Sequence, residues 1–345
     1  MELFRKMQQM NVKEHKLRTI FWECTLRCNI QCLHCGSDCK SDPASRDMPV
    51  KDFLRVIDSV TPHIDPNKVL IVFTGGEPLL RKDLETCGRA LYQKGYPWGT
   101  VTNALFLSRT RLDSLLAAGM HTMTISLDGF EGAHNWLRGH PDSFAKAVKA
   151  IKMLTEEKEL VWDVVTCVNQ KNWDQLEDFK SFLIQMGVKS WRIFTIFPVG
   201  RAAQSPHLQL SDEQFTQLMA FIKKTRKQKQ IDLNYGCEGF LGGYETEVRD
   251  NFFACQAGVG VASVLADGSI SACPSIRANF HQGNIYSDDF MTVWNHRFEK
   301  FRNRDWARKD ACAPCNMFRY CLGNGMHLRD EDEKLLVCHY RRLLK

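Results

Sequence analysis

The chain has 345 residues, 44% of them hydrophobic and 25% charged, with a net charge of +6. That length exceeds a single hydrophobic core and points to two domains or one large barrel with an appendage, and the ordinary composition excludes a disordered or fibrous protein. The charge is spread in short clusters such as KKTRKQK at 223–229, which read as a solvated helix face and argue against a nucleic-acid partner.

The N-terminal stretch MELFRKMQQMNVKEHKLR is charged throughout and lacks the apolar core of a signal peptide, and no window approaches the ~18 uncharged apolar residues of a membrane span. A cytoplasmic location follows. Thiols stay reduced there, so the 14 cysteines argue for metal or cluster ligation over a disulfide framework.

In chain order, TIFWEC (19–24) reads as a strand, followed by a cysteine-rich loop and a helix with Phe53, Leu54, Ile57 and Val60 on one face. KVLIVFT (68–74) reads as a buried strand, followed by a helix with Leu84, Cys87, Ala90 and Leu91 that stops at Gly95. GTVTN (99–103) precedes a short helix ended by Gly119. HTMTISL (121–127) precedes a helix opened by Asp142 or Ser143. LVWDVVTCV (160–168) and SWRIFTIF (190–197) add two strands, with helices near 173–186 and 211–229. Six strands alternating with helices predict an α/β fold with right-handed parallel crossovers, a partial (β/α)6 TIM-like barrel. Loops at the C-terminal strand ends hold the chemistry of such barrels, and the cysteine loop lies after the first strand.

Past about residue 232 the alternation stops, and seven cysteines fall in the last third. We expect a basic N-terminal extension over 1–18, the barrel over 19–231, and a loop- and hairpin-rich auxiliary iron-sulfur domain over 232–345.

The stretch CNIQCLHC places Cys28, Cys32 and Cys35 within eight residues. Three thiolates on a cubane cluster leave one iron open. A structural zinc site would close with a fourth ligand, for which Cys39 or His34 is available. Cys24 ends the first strand and packs beside this loop, whereas Cys87 and Cys167 read as small core residues.

This CxxxCxxC loop resembles the signature of the radical S-adenosylmethionine (SAM) superfamily. The resemblance extends to Gly75, Gly76, Glu77 and Pro78 after the second strand, where the family contacts the SAM amino group. There the glycines would let the backbone approach the ligand, and Glu77 would add an acceptor. It implies Ser126, Asp128 and Asn103 at the SAM-binding rim and Arg138 on the SAM carboxylate. The mechanism it implies is chelation of SAM by the open iron of a [4Fe-4S] cluster. Reductive cleavage then gives methionine and a 5′-deoxyadenosyl radical, which abstracts hydrogen from substrate.

The C-terminal cysteines resemble the SPASM extension, with Cys255, Cys273, then Cys312, Cys315, Cys321 and Cys338. The family's further cysteine, four residues past Cys321, is Gly325 here. The second auxiliary [4Fe-4S] set stays complete. The first keeps Cys255 and Cys273, with Cys237 as upstream ligand and His327 as a possible non-cysteine donor, so the resemblance implies one or two auxiliary clusters.

The resemblance implies an enzyme that modifies a peptide or protein, with a flavodoxin- or ferredoxin-type electron donor. The alternatives are radical modification of a small molecule or tetrapyrrole, or a non-catalytic iron-sulfur electron carrier or scaffold.

Overall fold

The structure is a computed structural model that describes residues 1–37, 39 and 47–344. The six expected βα units are β1 (Thr19–Thr25) with α2 (Val50–Val60), β2 (Leu70–Gly75) with α3 (Leu84–Gln93), β3 (Trp98–Thr102) with α4 (Arg109–Ala117), β4 (Met120–Ser126) with α5 (Glu131–Arg138) and α6 (Ser143–Leu154), β5 (Val161–Val168) with α7 (Leu176–Gln185), and β6 (Ser190–Thr195) with α8 (Asp212–Gln228). They are preceded by α1 (Glu2–Glu14).

The parallel sheet is longer than six strands. β7 (Asp232–Tyr235) pairs parallel with β6, and β8 (Val261–Val264) pairs parallel with β1 on its other edge, with Thr19 opposite both Leu70 and Val261. β9 (Ser269–Ser271) and β10 (Gly283–Asn284) continue antiparallel, giving the order β10-β9-β8-β1-β2-β3-β4-β5-β6-β7. The expected end of the alternation near 232 is therefore corrected, because β7 and β8 lie beyond it. Each has four residues, too few for periodicity to reveal. The sheet stays open, since β7 and β10 are its unpaired edges among the described residues.

Aromatic residues fill the space between sheet and helices. Trp22 stacks on Phe53 of α2 with centroids 4.4 Å apart, and Phe73 lies 5.1 Å from Trp98. These side chains are fully buried, each contributing on the order of 2–3 kcal/mol. Local signals set the helix starts: Ser108 caps α4 by accepting from Arg111 N, and Ser211 with Gln214 forms a capping box on α8. Asp142 precedes α6 without a side-chain cap.

The N-terminal extension is mostly helix, and it packs on the C-terminal part of the chain. Gln8 Nε2 donates to Phe253 O at 3.4 Å and Tyr320 O at 3.3 Å, and the Phe4 and Phe252 rings are 5.0 Å apart. No helix among the described residues is long and apolar enough to cross a membrane.

Candidate active site

The C-terminal ends of the parallel strands gather the expected residues on one rim. The loop carrying Cys28, Cys32 and Cys35 leaves β1 and is fixed from several sides. Gly76 N donates to Thr25 O at 2.8 Å and Glu77 N to Arg27 O at 2.9 Å, so the turn after β2 hydrogen-bonds the start of the cysteine loop. A Cβ on Gly75 would fall 2.1 Å from Thr25 O, and one on Gly76 2.0 Å from Arg27 O. Within the described residues, the close approach that requires glycine is thus to the protein's own backbone.

Three more contacts hold the loop. Asn103 Nδ2 donates to Asn29 Oδ1 at 2.8 Å, Leu33 N to Leu137 O at 2.8 Å, and Arg201 reaches in from beyond β6. Arg201 Nε donates to Cys32 O and Nη1 to Cys39 O, both at 2.8 Å, while its amide donates to Cys35 O at 3.0 Å. Sequence reasoning missed Arg201, which lies far along the chain and in no motif.

Glu77 is almost wholly buried. Its Oε1 accepts from Leu79 N at 3.0 Å and Thr102 Oγ1 at 2.7 Å, and its Oε2 from Asn103 N at 2.8 Å. Burial pushes its pKa up, and the bonds from Asn103, Thr102 and Leu79 oppose that shift. A carboxylate has about four lone-pair positions, so one acceptor position on Oε2 remains. Pro78 opens the short helical turn that follows.

Ser126 ends β4 and is buried. Asp128 and Arg138 are both buried, and Arg138 Nε donates to Asp128 Oδ2 at 2.6 Å. Arg138 Nη1 lies 3.8 Å from Cys32 Sγ. Asp128 Oδ1 also accepts from Cys167 N at 2.8 Å. Full burial would raise its pKa, but the Arg138 charge, with smaller contributions from His34 and His134, holds it down at about 2. Arg138 therefore carries a compensated buried charge beside a cysteine sulfur.

The thiols bear on which inorganic group fits. Desolvation pushes Cys28 up to about 12 and raises Cys32, so ligation there releases protons. The hydrogen bond between Cys35 and Cys39 lowers the Cys35 pKa and raises that of Cys39. Among the described residues, the one trio of His, Cys, Asp or Glu ligand atoms mutually within 4.8 Å is His34, Asp128 and Cys167, so no three cysteine sulfurs are that close. Thiolates at about 2.3 Å from a tetrahedral zinc would sit roughly 4 Å apart. Cys28, Cys32 and Cys35 are thus not gathered as closely as three thiolates on one zinc would be, and His34 turns toward Asp128 and Cys167 rather than closing a zinc site.

The cysteines beyond residue 232 form two groups. Cys237 follows β7, where Glu238 accepts from Thr195 N at 2.7 Å and Thr195 Oγ1 at 2.6 Å and so ties this loop to β6. Burial pushes Cys273 up to about 12, with Cys237 and Cys255 close enough to add to the rise. Cys312, Cys315, Cys321 and Cys338 line one small cavity with Phe240 and Tyr340. Burial and the neighbouring Cys338 and Cys312 thiols push Cys321 up to about 12. At Gly325 a Cβ would stand 2.7 Å from His327 Cε1, so the imidazole fills the space a side chain at 325 would need. Arg304, also missed from the sequence, is buried between the groups, hydrogen-bonding Cys255 and donating to Asn324 O at 2.9 Å. Cys24 donates its thiol to Thr74 O at 3.4 Å, and Cys87 is buried on the inner face of α3.

The chain is similar to known proteins. The profile of the radical SAM superfamily matches residues 22–183, and that of the SPASM iron-sulfur cluster-binding domain matches residues 255–316. The mycofactocin maturase MftC of Mycolicibacterium smegmatis is 30% identical over 88% of this chain and 77% of its own length. The AdoMet-dependent heme synthase of Nitratidesulfovibrio vulgaris is 24% identical over 94% of this chain and 92% of its own. Among solved structures, anSMEcpe with bound AdoMet has the same fold, with a TM-score of 0.74 at 17% identity over 95% of this chain and 91% of that one. SuiB of Streptococcus suis bound to S-adenosylmethionine gives 0.69 at 17% identity over 91% and 75%.

Proposed function

Because the chain belongs to the radical SAM superfamily and carries the SPASM extension, we propose that it is a maturase that modifies a peptide or protein by hydrogen abstraction, with Cys28, Cys32 and Cys35 holding the SAM-binding cluster. It is a radical SAM enzyme whose cofactors are SAM and [4Fe-4S] clusters. When bound, the reduced cluster supplies the electron that cleaves SAM to a hydrogen-abstracting radical.

The chain's residues take distinct parts in this reading. Gly75, Gly76, Glu77 and Pro78 would form the turn facing the SAM amino group, and the remaining acceptor position on Glu77 Oε2 would be available to it. Asn103 and Ser126 stand at the ends of β3 and β4 for the ribose. Asp128 holds Arg138, which keeps Nη1 on Cys32 and leaves Nη2 for the SAM carboxylate. Residues 19–231 would then bind SAM, and residues 232–345 would hold the auxiliary clusters through Cys312, Cys315, Cys321 and Cys338, and through Cys237, Cys255 and Cys273.

The peptide substrate is carried by one observation, the 30% identity to a maturase across 88% of this chain. A tetrapyrrole substrate is the second reading, favoured by the heme synthase match across 92% of that enzyme. Titrating the anaerobically reconstituted enzyme with iron-coproporphyrin III and following the Soret band separates the two. No saturable shift is expected. A shift accompanied by a SAM-dependent change in porphyrin mass would replace the peptide reading with the tetrapyrrole one. The electron donor in this reading is a low-potential flavodoxin- or ferredoxin-type protein.

A further inference from the structure

A cavity of about 820 Å³ lies between α1 and the segment 295–322. Its cations come from three separated stretches, Arg5 and Lys13 on α1, then Arg302, Arg304 and Arg308, then Arg319, against the carboxylates of Glu299 and Asp305. Lys13, Arg308 and Arg319 are exposed and form no salt bridge among the described residues. The groove is therefore a positive surface with charge left over for a partner. Cys315 of the four-cysteine group lines it, and Arg304 runs from it to Cys255.

We propose that this groove docks an acidic, low-potential electron-transfer protein, which delivers one electron to the four-cysteine site. The donor leaves oxidised by one electron, and no bond is made or broken. None of Cys28, Cys32 and Cys35 lines the groove, so a substrate held here would not be presented to that loop, whereas a donor would meet Cys315 of the four-cysteine group. Short-lived redox complexes bury little area and depend on electrostatic steering, so the contact should weaken steeply with salt.

The inference rests on the reading that Cys312, Cys315, Cys321 and Cys338 hold a cluster, and the test keeps the two apart. A bacterial flavodoxin serves as the probe, titrated onto the reconstituted holoenzyme at low and at 0.3 M salt. The expected result is a Kd at least tenfold weaker at high salt, and a further tenfold or greater weakening in the Arg308→Glu/Arg319→Glu variant at low salt. Flavodoxin-driven SAM cleavage should fall in that variant while dithionite-driven cleavage and iron content stay at the unsubstituted level. Lys227→Glu, on α8 and outside the groove, should leave the Kd unchanged. An unchanged Kd in the double variant would overturn the proposal, as would competition for the groove by poly-glutamate or single-stranded DNA that leaves flavodoxin binding intact. Loss of C-terminal iron in the unsubstituted protein would instead contradict the cluster assignment beneath it.

Discussion

The chain contains two groups of three cysteines that differ in how they are held. Cys28, Cys32 and Cys35 lie within eight residues on a loop gripped by the turn at Gly76, by Asn103, by Leu137 and by Arg201. Cys237, Cys255 and Cys273 come from three segments, and the His327 ring occupies the space beside Gly325. The first group owes its geometry to neighbours that clamp one short loop. The second owes it to the tertiary fold, which gives sequence reasoning little to hold on to.

The strongest way to break the first group is through its buried ion pair. Asp128→Asn leaves Arg138 charged and unpaired next to Cys32, which should cost about 3–5 kcal/mol. Denaturant unfolding of the reconstituted protein reads this directly, and a change below about 1 kcal/mol would show that the pair does not hold the loop.

Gly76→Ala acts on the backbone clamp. The new Cβ would overlap Arg27 O, so the loop must shift at a cost of about 1–3 kcal/mol. Iron at the SAM-binding site should be lost while the C-terminal iron stays. Equal loss from both regions would mean that the clamp serves the whole fold and not this loop.

The second group can be sharpened by restoring the missing cysteine. Gly325→Cys alone collides with His327 and should be destabilising without gaining a ligand. Paired with His327→Ala the space opens, and the two changes should couple by about 0.5–3 kcal/mol. Additive effects would show that His327 does not occupy the position that a cysteine would take.

The same contrast explains what the sequence revealed. The six-unit barrel was legible because its strands and helices are long and periodic, and the cysteine loop because its three cysteines fall within eight residues. β7 and β8 were hidden by their length of four residues. Glu77 and Gly76 were legible as motif residues, but their contacts with Thr25 O, Arg27 O and Asn103 N were not, because those partners lie in other segments of the chain. Arg201, Arg304 and the basic groove were invisible because each joins residues far apart in the chain, and no local pattern records a charge cluster assembled from residues 5–13, 302–308 and 319.

The central claim is that Cys28, Cys32 and Cys35 hold the cluster that cleaves SAM. Anaerobic reconstitution, iron and sulfide analysis, and dithionite-dependent 5′-deoxyadenosine formation, run side by side on the unsubstituted protein and the Cys28→Ala/Cys32→Ala/Cys35→Ala variant, test it most directly. We expect cleavage in the first and none in the second, with a loss of about four irons and the C-terminal iron retained. Cleavage that persists in the variant, or bound zinc in place of iron and labile sulfide, would contradict it.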